Sequence, residues 1–171
     1  YCARASKDTA HSGDDYPVAA NAQVRAICDG DIIVARTAAS TPDIWNRFTI
    51  LRAENCGGYA VLYVYYGHVN ATVGLGPVRR GAPIATVAYW PTGIGDNTHL
   101  HFGLRTAFEP SGWGYYPTGV STTETCGSPT DPNAPDNVRA KALAAYGWID
   151  AHSFATGYNW WSGSVAIGSC N

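Results

Sequence analysis

The residues best suited to chemistry in this chain of 171 residues lie in one short segment, Thr98–Phe102, with the sequence THLHF. Successive side chains of a β-strand point to opposite faces, so His99 and His101 are expected on one face and Leu100 on the other. Two neighbouring imidazoles favour a metal site, because neutral imidazole is the commonest nitrogen ligand in proteins. The alternative is a polar strand face that carries two histidines by chance, and the segment alone leaves both interpretations open.

The other three of the five histidines are His11, His68 and His152. His11 and Asp15 are four residues apart in the segment HSGDDY, where Gly13 permits a bend that could close both side chains on one ion. A turn with two solvated carboxylates explains the same segment. His68 ends a strand-like run of residues, whereas His152 fits no motif and is expected at the surface or at a helix end.

Short β-strands joined by tight turns are expected to position these histidines. Gly (19 residues) and Tyr (11 residues) are abundant, and this composition is typical of an extracellular β protein. Asp29-Gly30 between two apolar runs predicts a hairpin. Before residue 130 the pattern predicts strands and no helix, with the strands near residues 23–28, 31–35, 47–53, 59–66, 82–88 and 98–105.

The composition changes after residue 107. Residues 109–134 are rich in Pro and Gly and are expected to form an ordered loop or a linker. A helix is predicted over 136–146, with Asp136 as its N-cap and Gly147 at its end. We therefore expect a catalytic β domain over residues 1–107, with its core at 11–105, and a small extension over 108–171.

Aromatic residues of the extension have two possible roles. They could stack on sugar or peptide, or they could form the core of the extension; the residues concerned are Trp113, Tyr115, Tyr116, Trp160 and Trp161.

The low charge of the chain excludes one broad class of function. Only 14% of the residues are charged and the net charge is -2, so the basic stripe of an electrostatic nucleic-acid binder is not expected. No apolar run approaches the roughly 20 residues of a membrane-spanning helix. The lack of Met predicts that the sequence does not begin at a start codon and is a processed or trimmed form. Nothing in the sequence indicates an oligomeric state.

Five cysteines and few charges favour disulfides and secretion. No two cysteines form a CxxC pair, so a thiolate zinc site is not expected. Spacing does not fix the connectivity. The favoured pairs are Cys28–Cys56, which flanks adjacent predicted strands, and Cys126–Cys170, with Cys2 free or bonded to another chain. Five reduced, buried cysteines are the alternative.

Five segments in order resemble the lysostaphin-like (LytM-type) zinc endopeptidases, a family that cuts peptide bonds in bacterial peptidoglycan. The resemblance covers residues 11 to 105. His11–Tyr16 matches the H-x-G-x-D motif of that family, and Thr98–Phe102 matches its H-L-H-F strand. The remaining matches are Pro17–Ala20 together with Ala26–Ile32, then Tyr65–Val69 and Val78–Ala85.

This resemblance implies that His11, Asp15 and His101 bind one Zn²⁺, with Asp14 as an alternative to Asp15. Three protein ligands and a water are typical of a catalytic zinc site rather than a structural one. The resemblance further implies that His99 and His68 are catalytic residues that do not bind the metal. One would move the proton of the water to the leaving amine, and the other would orient the water or stabilise the oxyanion. His99 is favoured as the base because it neighbours His101.

The fold class expected from strands and resemblance together is mainly β. It consists of antiparallel sheet in an open, barrel-like sandwich with a catalytic groove, followed by a small C-terminal extension with one helix. The loop at 37–46 and the turn at Glu54–Gly58 look longer than those of a minimal family member. Both are expected to form walls of the substrate groove.

Three functions are compatible with these features. The first is a secreted zinc endopeptidase that hydrolyses Gly- or Ala-containing peptide cross-links of peptidoglycan. The second is a catalytically inactive relative that serves as a wall-binding or structural extracellular module. The third is a cupin-type metal barrel, which needs a Glu soon after the histidine pair and a third His further on. Glu109 and His152 fit those positions poorly.

Overall fold

The computed structural model describes residues 9–92, 95–110, 115–117, 144–151 and 154, with backbone alone for 9–11 and 115–117. A single 3-10 turn (Ile44–Asn46) interrupts the described strands. These strands are β1 (Thr9–His11), β2 (Gly13–Tyr16), β3 (Gln23–Arg25), β4 (Gly30–Ala35), β5 (Phe48–Cys56), β6 (Tyr59–Gly67), β7 (Val69–Ala71), β8 (Gly76–Val78), β9 (Pro83–Val87), β10 (Pro91–Thr92), β11 (Gly95–Asp96), β12 (Leu100–Arg105), β13 (Tyr115–Pro117) and β14 (Trp148–Ile149).

Residues Asp15–Phe102 form one compact unit of the chain. Its larger sheet has the order β12-β6-β5-β4-β8, and β5 and β6 are its longest strands. Both are rich in β-branched and aromatic residues, which fit a pleated and half-buried surface. The described strand pairs in which register is resolved are antiparallel; in the β5–β6 pair, Ile50 lies opposite Tyr65, and both are fully buried. The prediction of a mainly β, antiparallel and open fold is confirmed.

A second sheet in this unit has the order β3-β9-β7. The hairpin predicted around Asp29-Gly30 is wrong, because β3 pairs with β9 whereas β4 pairs with β5 and β8. Gly30 is a strand residue between two partners rather than a turn residue. A Cβ atom at Gly30 would overlap the carbonyl oxygen of Arg52, so the close approach of β5 explains this glycine.

The predicted disulfide between Cys28 and Cys56 is present, with a Cα–Cα distance of 6.0 Å. It joins the segment just before β4 to the last residue of β5, two strands that also pair with each other. Cys2, Cys126 and Cys170 lie outside the described residues.

The described residues before Asp15 and after Phe102 belong to a second unit. There β1 pairs with β13, and the end of β12 pairs with β14. Arg105 is buried, and its Nε donates to the carbonyl oxygen of Tyr146 at 2.8 Å. The Arg105 guanidinium also lies over the ring of Trp148 and forms an ion pair with Glu109.

Most of the C-terminal predictions fall outside the described residues. The helix predicted over 136–146 is described only at its end, where Ala144 and Ala145 are helical and Gly147 has a φ of 84°. The positive φ agrees with Gly147 as the residue that ends the helix. His152, Trp113, Trp160 and Trp161 lie outside the described residues, and the division at residue 107 stays a prediction. In the part of the chain that is described, no helix is long and apolar enough to cross a membrane.

Candidate active site

Asp15 and His101 meet where β2 pairs with β12. The imidazole Nδ1 of His101 lies 3.0 Å from the carboxylate Oδ1 of Asp15. His101 is only 1% exposed, whereas the side chain of Asp15 is 44% exposed. Neighbouring residues of a strand face opposite sides, so Asp14 points away from Asp15 and is buried. The geometry therefore distinguishes the two carboxylates, and Asp15 is the one that faces the histidines.

His99 reaches the same carboxylate from the residue just before β12. Its Nε2 lies 3.6 Å from Asp15 Oδ1, and its Nδ1 lies 2.6 Å from the carbonyl oxygen of Asn97. A carbonyl oxygen can only accept, so Nδ1 donates and the neutral ring keeps its lone pair on Nε2. His99 was predicted to lie within the strand, but β12 begins one residue later, at Leu100. His99 and His101 nevertheless both contact the carboxylate of Asp15.

The turn before β12 holds the Asn97 carbonyl in place. The carboxylate of Asp96 accepts the amide proton of Thr98 at 2.9 Å, and hydrogen bonds from Thr98 lower the pKa of Asp96. The hydroxyl of Thr98 accepts the amide proton of Trp90, also at 2.9 Å. The carbonyl of Trp90 in turn accepts the amide proton of Asn97. These bonds fix the backbone that orients His99.

His68 lies between β6 and β7 with a φ of 58°, a left-handed conformation that is uncommon outside glycine. Its Nδ1 is 3.3 Å from the carbonyl oxygen of Ile44. Its ring centroid lies 4.6 Å from that of His99 and 6.3 Å from that of His101. Burial, followed by the nearby His99 and His101, lowers the pKa of His68 to about 3. His68 is therefore neutral throughout the physiological pH range.

Trp45 and Trp90 complete the cluster, and the sequence did not single them out. Their ring centroids are 4.5 Å apart with planes at 82°, an edge-to-face pair. Trp90 also lies 4.5 Å from the ring of His68 and 5.4 Å from that of His99. Both tryptophans occupy loops of otherwise polar or glycine-containing sequence, and an indole in such a loop is the signal that could have identified them.

The donor atoms that converge here fit a zinc ion in kind. One carboxylate oxygen and one imidazole nitrogen, 3.0 Å apart, belong to the ligand types that zinc takes. The predicted third ligand, His11, ends β1, where only the backbone is described. Among the described side chains, no group of three or more His, Cys, Asp or Glu is arranged to hold a metal ion. Glu109, which a cupin site would need, forms an ion pair with Arg105 instead.

A model of peptidase family M23 matches residues 9–112, more than half of the chain. The match includes all five residues predicted for the site: His11, Asp15, His68, His99 and His101. No curated protein matches the chain.

Proposed function

The chain belongs to peptidase family M23, and from this membership we propose that it is a secreted zinc-dependent endopeptidase acting on the peptide cross-links of bacterial peptidoglycan. The observation that carries this proposal is the contact between His101 Nδ1 and Asp15 Oδ1, beside two further histidines. Extracellular disulfides are common and cytosolic ones are rare, so the Cys28–Cys56 bond supports secretion.

Asp15 and His101 are proposed to hold the zinc ion, together with His11. A carboxylate and a neutral imidazole are suited to this task because both present a lone pair to a cation. The burial of His101 fixes its ring, and the pairing of β2 with β12 sets the distance to Asp15. When bound, Zn²⁺ lowers the pKa of a coordinated water towards about 7 and polarises a carbonyl group.

His99 is proposed as the general base and then the general acid. The Asn97 carbonyl holds the proton on Nδ1, which leaves the Nε2 lone pair on the side of Asp15. Nε2 can therefore take a proton from a water held beside Asp15 and return it to the leaving amine. A base must lie within hydrogen-bond reach of the proton that it removes, and the separation of 3.6 Å from Asp15 Oδ1 supports this role.

His68 is proposed to orient the attacking water. Its Nδ1 faces the Ile44 carbonyl and donates to it, so the neutral ring presents an acceptor at Nε2 rather than a donor. Stabilising an oxyanion requires a donor, and a pKa of about 3 keeps His68 neutral at pH 7. Of the two roles open to His68, orientation of water is the one that this hydrogen bond supports.

Digestion of purified peptidoglycan tests the proposal. Wild-type protein, wild type with excess EDTA, and His101→Ala would be incubated with cell walls, and released peptides would be sequenced by mass spectrometry. We expect wild type without EDTA to produce new amino termini at one type of bond, and we expect none with EDTA or with His101→Ala. Leu75→Ala, which removes an exposed side chain between β7 and β8, is the control and should match wild type. Cleavage that persists in EDTA would overturn the proposal.

A further inference from the structure

Hydrogen bonds hold the backbone of the two tryptophans beside the histidines. Trp45 lies in the 3-10 turn Ile44–Asn46, where the Asp43 carboxylate accepts the amide proton of Trp45 at 3.1 Å. The same carboxylate accepts from the Asn46 side chain at 2.8 Å. The backbone of Trp90 is bonded to Thr98 and Asn97, as described above. Rigid aromatic side chains offer contact area at a low entropic cost of ordering.

This pair exposes an apolar surface in spite of its packing. Trp45 is 51% exposed although its ring contacts Trp90 and His68. An indole of this exposure, fixed in an edge-to-face pair, leaves part of its surface available to a bound molecule. The pair is called here the Trp45–Trp90 wall.

The position of the Trp45–Trp90 wall identifies the part of a substrate that would touch it. The Trp90 ring lies 5.4 Å from the ring of His99, the proposed proton carrier at the scissile bond. One extended residue spans roughly 3.3 to 3.6 Å. A group in contact with the wall is therefore within about one or two residues of the cleaved bond.

We propose that the Trp45–Trp90 wall contacts a substrate residue within one or two positions of the scissile bond and disfavours a long side chain there, with Trp45 as the specificity-determining residue. This inference rests on the proposed function. A Cα–H face or a methyl group packs on an indole, whereas a long side chain competes with Trp45 for the same space.

Kinetics of Trp45→Ala on short peptides tests the inference. Internally quenched peptides would contain a Gly-Gly bond, or the same sequence with Ala or Leu next to the cleaved bond. With the Gly-Gly peptide, Trp45→Ala should raise KM about tenfold with little change in kcat, since it removes an apolar contact shared by ground and transition states. It should also narrow the preference for Gly over Leu, measured as the ratio of kcat/KM values, by about tenfold.

Two further variants separate contact from folding. Trp45→Phe keeps an aromatic ring and should lie between wild type and Trp45→Ala in KM. Leu75→Ala removes an apolar side chain that is 71% exposed and should retain the wild-type KM and preference. Circular dichroism on each variant verifies the fold. A folded Trp45→Ala protein with wild-type KM and wild-type preference would overturn the inference.

A binding measurement separates this inference from the proposed function. The Gly-Gly peptide would be titrated into His99→Ala, and into His99→Ala combined with Trp45→Ala, by calorimetry. Weaker binding in the double variant supports the wall, and equal binding refutes it, whether or not the wild type turns over. A wild type that releases no peptides from purified peptidoglycan, or that cleaves its substrates in excess EDTA, refutes the proposed function instead.

Discussion

His99 Nδ1 donates to the carbonyl oxygen of Asn97 across 2.6 Å, and this bond assigns the tautomer of the histidine. The lone pair is consequently on Nε2, which faces Asp15 Oδ1 at 3.6 Å. A histidine that moves a proton needs such a partner on its other nitrogen, because the partner decides which atom is basic. The backbone of a three-residue turn thus determines the chemistry of the side chain that follows it.

Replacing Thr98 should shift the Asn97 carbonyl that orients His99, although the His99 side chain itself is unchanged. Thr98→Val removes the hydroxyl that accepts the Trp90 amide proton, so the turn that holds the Asn97 carbonyl loosens. We expect kcat to fall about tenfold to a hundredfold, as small displacements of a reacting group do. Thr98→Ser restores the acceptor and should recover most of the rate. Equal rates for the Val and Ser variants would contradict this role of the hydroxyl.

The depressed pKa of His68 predicts how stability depends on pH. The pKa is about 3 in the folded chain and 6.5 ordinarily, so between these values the unfolded chain binds a proton that the folded chain does not. Stability contributed by neutral His68 is thus complete above pH 6.5 and is lost as the pH falls towards 3. In protein stripped of metal, this single site should lower the free energy of unfolding by about 2 kcal/mol from pH 7 to pH 5.

His68→Asn is the matched variant for that measurement. Asparagine tolerates the left-handed φ of 58° found at this position, and its side chain does not titrate. Urea denaturation at pH 7 and pH 5 should therefore show a smaller pH dependence in His68→Asn than in wild type. Identical pH dependence in the two proteins would show that His68 is not the group responsible.

The Cys28–Cys56 disulfide should contribute substantially to stability. It closes a segment with a sequence separation of 28 residues, for which the chain-entropy model predicts about 3 to 4 kcal/mol. The double variant Cys28→Ala/Cys56→Ala should accordingly unfold at lower urea concentration than wild type. Adding reductant during unfolding should lower the urea midpoint of wild type more than that of the double variant, which keeps Cys126 and Cys170. A midpoint equal to that of wild type would exclude the predicted contribution.

Strand content and the grouping of His99 with His101 could be predicted because their signals are local. The run Tyr59–Tyr66 is β-prone residue by residue, and it forms most of β6. Likewise, the spacing of His99 and His101 already places both imidazoles on the same side. The pairing of Cys28 with Cys56 followed from the expectation that its flanking strands are neighbours.

Features that depend on distant parts of the chain could not be predicted. Asp29-Gly30 has the local pattern of a hairpin, but Gly30 is required because β5 passes close to its Cα atom. Trp45 and Trp90 are 45 residues apart, and only tertiary packing brings both against His68. The tautomer of His99 depends on a backbone carbonyl whose direction no residue pattern encodes.

Zinc content, measured per chain by mass spectrometry, tests the central claim most directly. We predict one zinc ion per chain in wild type, and a loss of most bound zinc in Asp15→Ala and in His101→Ala, since each removes one of the two donors that lie 3.0 Å apart. Asp31→Ala removes an exposed carboxylate on β4 and should retain the zinc. A wild type without zinc, or variants at Asp15 and His101 that bind zinc as wild type does, would contradict the account.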